Sequence, residues 1–159
     1  MGAWGPGLYS DDVTEDVRGI YVDKLHRGKN GEQASKEMIA EFEWAWSDED
    51  DAPVFWFAMA DMQWNYGRLQ EEVKKKALYY LNDMKNLQRW EYENLKMSEK
   101  RKQVLNELRK KLNTLQPSEK KVSQYRLYLC QWKVGDMYAY QLEGEYAKER
   151  GLNGKYLLF

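Results

Sequence analysis

The chain has 159 residues, with seven Trp, twelve Tyr, four Phe and a net charge of −1. That many rings exclude a disordered polymer, which lacks core-forming aromatics, and the length fits one domain, or one domain with a small appendage. No apolar run approaches the ~18 residues of a membrane span; the single Cys, Cys130, excludes an internal disulfide and a Cys-rich zinc site, and the single His, His26, leaves little for His-based catalysis.

Residues 1–9 cannot be helical, because Gly2, Gly5, Pro6 and Gly7 break any helix there. Trp4, Leu8 and Tyr9 are the apolar handles of this loop and are expected to tuck into a helical body. Trp4, Gly5 and Gly7 are therefore assigned structural roles. Ser10 or Asp11 caps the first helix, and Asp11, Asp12, Glu15 and Asp16 favour its positive end. Val13, Val17, Ile20, Tyr21 and Leu25 form its apolar stripe, and Arg27-Gly28 ends it.

Asn30 starts a second helix carrying Ala34, Met38, Phe42 and Ala45 or Trp46 on one face. The acidic run Asp48-Glu49-Asp50-Asp51 is the next loop, with Asp51 as the cap of a third helix over 53–66. Pro53 suits its first turn. Val54 to Trp64 is apolar almost all round, which predicts a central helix containing Trp56 and Trp64; Gly67 ends it. A fourth helix follows over 70–83, with Val73, Ala77, Tyr80, Leu81 and Met84 inward. The pattern then predicts a short helix over 86–95 and a longer one over 99–115, or one helix through both, with Ser98 as a cap. Val104, Leu105, Leu108, Leu112 and Leu115 are its stripe.

Gln116-Pro117-Ser118 stops the helices, and 117–124 reads as a linker. The period then changes to two. Residues 134–142 and 156–159 read as strands, with a helical turn over 144–150. The Tyr-rich face of 134–142 is the one expected to be buried, by the helices 86–115 or across the edge of a homodimer, because a two- or three-stranded sheet is marginal alone. The fold class is thus mainly α: a bundle of five or six helices over 1–116 with a small C-terminal β appendage over 125–159.

Charge is unevenly placed. Residues 1–66 hold 14 acids and 5 bases, whereas 96–126 hold 10 bases and 3 acids. The two halves either face each other or occupy opposite solvated faces; the alternative is a basic surface for an acidic partner. Lys100-Arg101-Lys102 and Arg109-Lys110-Lys111 are the candidate binding cations. Nine residues separate them, half a turn out of phase, so they form no single stripe. Aromatics are not interleaved, which argues against an RNA-stacking surface.

Asp61, Gln63 and Asn65 interrupt the apolar helix. A buried carboxylate needs a partner, and Asp61, Asn65 and Arg68 share a side. Asp61, Gln63 and Arg68 are accordingly candidate binding residues, against the simpler reading of structural pairing. The acidic run lacks the spacing of a calcium loop, so no metal is expected, and the glycines at 2, 5 and 7 do not make a nucleotide-binding turn. No cofactor is expected. The opening residues contain no signal-peptide pattern, which places the protein in the cytoplasm.

The opening MGAWGPGLYSDD resembles the start of a family of functionally uncharacterised bacterial proteins with the pattern M-G-x-W-G-x-G-x-aromatic-x-(D/N)-D. Ala52 to Leu69 is similar to a longer subgroup of that family, and the family implies no activity. Trp132-Lys133-Val134-Gly135-Asp136-Met137-Tyr138-Ala139 resembles the first strand of a small β domain in immunity proteins of bacterial polymorphic-toxin systems. The functional reading of the whole chain is a non-enzymatic binding protein that occludes a protein partner, immunity-like or anti-defence. The alternatives are a nucleic-acid binder using 96–126 and a small hydrolase around Asp61.

Overall fold

In the computed structural model, which describes residues 4–83, 87, 95–126 and 130–159, the chain forms two units, Met1–Tyr125 and Arg126–Phe159. The first is helical. The second carries a two-stranded antiparallel sheet and one short helix. The mainly α class with a small β appendage is therefore correct.

Asp11, not Ser10, starts α1, Asp12–His26: its carboxylate accepts the Val13 N–H at 2.9 Å. Val13, Val17, Tyr21 and Leu25 are buried as expected. Asn30 opens α2, Gly31–Glu41, with a full capping box in which the Asn30 and Gln33 side chains each accept the other's backbone N–H. The second helix does not run through to Trp46 as one piece. It breaks at Phe42, and α3, Glu43–Trp46, follows as a separate turn. The reason is local: the Trp46 indole donates to the Ile39 carbonyl at 2.6 Å, and the Phe42 ring stacks on Phe55 with centroids 5.6 Å apart.

The next helix, α4, Asp51–Asn65, starts two residues earlier than the pattern suggests. Its first turn is closed by Asp48, not by Asp51: one Asp48 oxygen accepts the N–H groups of both Asp50 and Asp51. Every residue from Ala52 to Gln63 is buried, and α4 packs on α1, α3, α5 (Glu71–Asn82) and α6 (Leu95–Leu112). Full burial of side chains such as Phe55, Phe57 and Met59 contributes about 1.5–3 kcal/mol each, which makes α4 the axis of the unit.

Leu105, Leu108 and Leu112 of α6 face this core, but Leu115 does not: it is 94% exposed. The helix ends at Leu112, so the 3.6-residue spacing no longer carries Leu115 inward. Ser98 lies inside α6 rather than at its cap. Met84 and most of the 86–95 helix lie outside the described residues, as does the choice between one helix and two.

Residues 117–124, expected as a linker, are instead a strap along the helical unit. The Lys120 N–H donates to Tyr66 O at 3.0 Å and the Tyr125 N–H to His26 O at 2.9 Å. The His26 ring adds a 2.6 Å hydrogen bond to Ser123 O and stacks on Tyr125. Val122 packs against the helical core, and free carbonyls at helix ends receive N–H groups of this otherwise polar segment. Hydropathy does not see that.

The N-terminal loop closes on itself through Trp4 N–H to Ser10 O, 3.0 Å, and Ser10 N–H to Gly7 O, 3.3 Å. A Cβ at Gly7 would lie 2.7 Å from Ser10 Oγ, so the Ser10 side chain would have to turn aside, and one at Gly5 would meet the same side chain at 3.3 Å. Trp4 does not dock: it is 59% exposed, and Leu8 and Tyr9 pack against the core in its place. The loop is closed by its backbone bonds and anchored through the Tyr9 hydroxyl and the Gly7 carbonyl, which leave the indole outside. Trp4→Ala is therefore expected to change unfolding free energy by less than about 0.5 kcal/mol, and a denaturant titration of the variant checks this.

In the second unit, β1, Ala139–Gln141, pairs with β2, Tyr156–Leu158, in the register Ala139↔Leu158, Tyr140↔Leu157 and Gln141↔Tyr156. The short helix α7, Glu145–Glu149, lies between them. The ladder is shorter than 134–142, because Gly135 at φ +97° turns the chain and the Lys133 N–H caps onto the Asp136 carboxylate. The Tyr-rich face is not buried: Tyr140 and Leu157 are exposed, as are Tyr156, Leu158 and Phe159. Two strands and one turn of helix provide no second layer.

Candidate functional site

Asp61 is 6% exposed and sits two-thirds of the way along α4. Lys111, on α6, donates to Asp61 Oδ1 at 2.6 Å and to Asn65 Oδ1 at 2.7 Å. The Tyr9 hydroxyl donates to Asp61 Oδ2 at 2.7 Å, and Asn65 Nδ2 reaches the same oxygen at 2.8 Å. Lys111 Nζ lies 4.8 Å from the Trp64 ring centroid, so the cation also faces an aromatic surface. Both carboxylate oxygens are engaged from three elements. This is the arrangement of a paired buried charge, and it ties the N-terminal loop, α4 and α6 together.

The expected partner, Arg68, is elsewhere. It pairs with Glu119 at 3.0 Å and donates to Lys120 O at 3.2 Å, both on the strap. Arg68 lies just beyond Gly67, whose φ of +67° turns the chain away from the axis of α4. A helical projection from Asp61 to residue 68 therefore fails. Gln63 is fully buried and bridges Ser35 Oγ, at 2.6 Å, and the Gln70 N–H, at 3.0 Å.

The two basic triplets divide by direction. Arg101 is 3% exposed, and its guanidinium donates to Gly7 O at 2.9 Å. Burial pushes its pKa down to about 10, above neutral pH by a wide margin. Arg109 donates to Leu81 O, and Lys111 holds Asp61. Lys100, Lys102 and Lys110 stay exposed. Half of the candidate cations are thus internal fasteners, because a helix nine residues further on presents the opposite face. Trp56 is buried and Trp64 half-buried.

Burial and the Asp61 carboxylate raise the Tyr9 hydroxyl pKa, and burial, offset in part by Arg68 and aided by Glu119 and Tyr66, pushes Tyr21 up to about 12. Both folded values exceed that of an unfolded tyrosine, about 10. Their contribution is complete below about pH 10 and is lost as pH rises through that value toward the folded ones. Between pH 10 and 11 the protein is expected to lose at least about 1 kcal/mol. Tyr21→Phe should flatten that loss in a series of denaturant titrations against pH.

One concave feature was not anticipated. A cleft of about 270 Å³ opens between the 47–50 loop, the start of α4 and the end of α5, with Trp46, Tyr79 and Tyr80 as aromatic lining and Asp48, Glu49, Asp50 and Asp83 as acidic lining. The sequence signals were the acidic run and the Tyr79-Tyr80 pair; their meeting required the α4–α5 turn. Among the described residues no group of three or more His, Cys, Asp or Glu is arranged to hold a metal ion. No described helix is long and apolar enough to cross a membrane.

No protein-family model, no curated protein and no solved structure matches this chain. The resemblances of the opening motif and of 132–142 stand on their residues alone.

Proposed function

We propose that this is a non-enzymatic cytoplasmic binding protein that occludes a surface of a protein partner, in the manner of an immunity or anti-defence protein. The observation that carries the reading is the apolar surface of the second unit. Trp132, Met137, Tyr140, Leu157, Leu158 and Phe159 are all exposed, Leu157 least at 47%. Side chains alternate across a strand, so both faces of the β1–β2 ladder carry them. Exposed apolar surface gathered on one small element marks an interaction site. Trp132 stacks on Tyr138 with centroids 4.0 Å apart, which presets a rigid aromatic anchor of the kind that dominates interfaces.

The nucleic-acid alternative has less to work with, since Arg101, Arg109 and Lys111 are turned inward. A hydrolase at Asp61 would need a carboxylate free to move a proton, and Asp61 is held by Lys111, Tyr9 and Asn65.

The test uses the full chain. A stoichiometric partner is identified by cross-linking in the native host and titrated against the wild type, Tyr140→Asp and Leu157→Asp. Each charge is expected to weaken binding at least ~30-fold, equivalent to about 2 kcal/mol, with the helical circular dichroism unchanged. Variants that bind as tightly as wild type, or a wild type that binds only itself or only nucleic acid, would end the reading.

A further inference from the structure

The second candidate surface lies in the first unit and concerns what the partner must present. The cleft between the 47–50 loop and the end of α5 is lined by Trp46, Tyr79 and Tyr80 together with Asp48, Glu49 and Asp50, and among the described residues no lysine or arginine lines it. We propose that this cleft receives an arginine side chain from an exposed basic segment of a protein partner. The inference deepens the protein-binding reading and rests on it.

Carboxylates on a loop are by themselves a solvated cap, and one Asp48 oxygen is committed to the N–H groups of Asp50 and Asp51. What changes their meaning is the space beside them and its lining. Tyr79 is 65% exposed, and its ring meets Tyr80 edge to face at 5.1 Å. An exposed ring beside a cleft gives a flat π surface for a planar cation. The Trp46 ring is fixed by its bond to Ile39 O, so that part of the lining is pre-formed. The cleft volume of about 270 Å³ is on the scale of one long side chain rather than of a cofactor.

Charge complementarity selects the occupant. The end of α5 at Asn82 adds no free negative charge, because Arg109 already donates to the Leu81 carbonyl, so the carboxylates of the loop carry the field of the cleft. An anion is excluded by the same groups, and an apolar side chain would desolvate carboxylates without return. Between the two basic side chains, guanidinium is favoured over ammonium: it stacks on tyrosine and offers a planar fork of donors to the Glu49 and Asp50 carboxylates.

The test is a titration of the full-length protein with a decapeptide of alternating arginine and serine, read by tryptophan fluorescence and calorimetry. Lysine-serine, glutamate-serine and spermidine serve as comparison ligands. Saturable binding of the arginine peptide below about 1 mM is expected, tighter than the lysine peptide. Glu49→Gln with Asp50→Asn should weaken it about 5–10-fold, and Tyr79→Ala about 3-fold. Glu32→Gln with Glu99→Gln, which removes two exposed charges elsewhere, should leave it unchanged. Absence of saturation would overturn the proposal. So would equal weakening by the distant pair, or spermidine binding as tightly as the peptide, which would make the site one for small polyamines. The peptide reads the cleft alone, so it separates failure here from failure of the β1–β2 surface.

Discussion

Lys111→Met is expected to be among the most destabilising single substitutions at a residue that is not itself fully buried. The Asp61 side chain is 8% exposed and that of Lys111 is 27% exposed. Removing the lysine leaves a carboxylate in the core with the Tyr9 hydroxyl and the Asn65 amide but no positive charge. Breaking a buried pair by deleting one partner costs about 3–5 kcal/mol, and the partial exposure of Lys111 sets the expectation at the lower end. Asp61→Asn removes the charge and keeps the shape, so the double variant should recover part of the loss. A double-mutant cycle in denaturant should give a coupling of at least about 1 kcal/mol. Additive effects would mean that Lys111 acts through packing on Trp64, not through Asp61.

This pair also marks where the sequence stops being readable. Helix identities, the caps at Asp11 and Asn30 and the burial of α4 follow from signals within a few residues: spacing of apolar side chains, capping types, Gly67. The partner of Asp61 does not. Lys111 is 50 positions away, and its direction depends on how α6 is rotated against α4. Arg68 looked suitable because seven residues close two helical turns, but Gly67 ends the helix between them. Trp4 misled for a related reason. An aromatic between glycines promises a packed anchor, yet the loop is held by its backbone and by Arg101, whose guanidinium reaches the Gly7 carbonyl. Arg101 in turn looked like a surface cation because it stands between two lysines.

The candidate functional surfaces show the same division. Alternation over 134–142 was visible, but not that the ladder would be only Ala139–Gln141 against Tyr156–Leu158 with its rings exposed. The acidic run was visible as a loop, and not as one side of a cleft. In both places local chemistry was legible, and what lies opposite it was set by tertiary packing.

Gly67→Ala is the second large expected effect, and it acts on the strap. Gly67 has φ +67°, a conformation that costs a residue with a Cβ about 1–2 kcal/mol. Sterics add to this. A Cβ there would stand 2.5 Å from Pro117 O and 2.6 Å from Ser118 O, both backbone atoms that cannot swing aside. The strap must lift or α4 must end differently. Lifting removes the Lys120 N–H bond to Tyr66 O, the Arg68–Glu119 pair and the bond from the Leu69 N–H to the Gln116 side chain at 2.7 Å. The total expected loss is about 3 kcal/mol. Hydrogen exchange distinguishes the two responses. If the strap lifts, the amides of Lys120 and Tyr125 lose protection while those of α4 keep theirs. Pro117→Gly and Ser118→Gly leave both carbonyls in place, so neither should rescue the variant. A Gly67→Ala protein with wild-type stability and a protected Lys120 amide would show that the close approach of strap and turn is not needed by the fold.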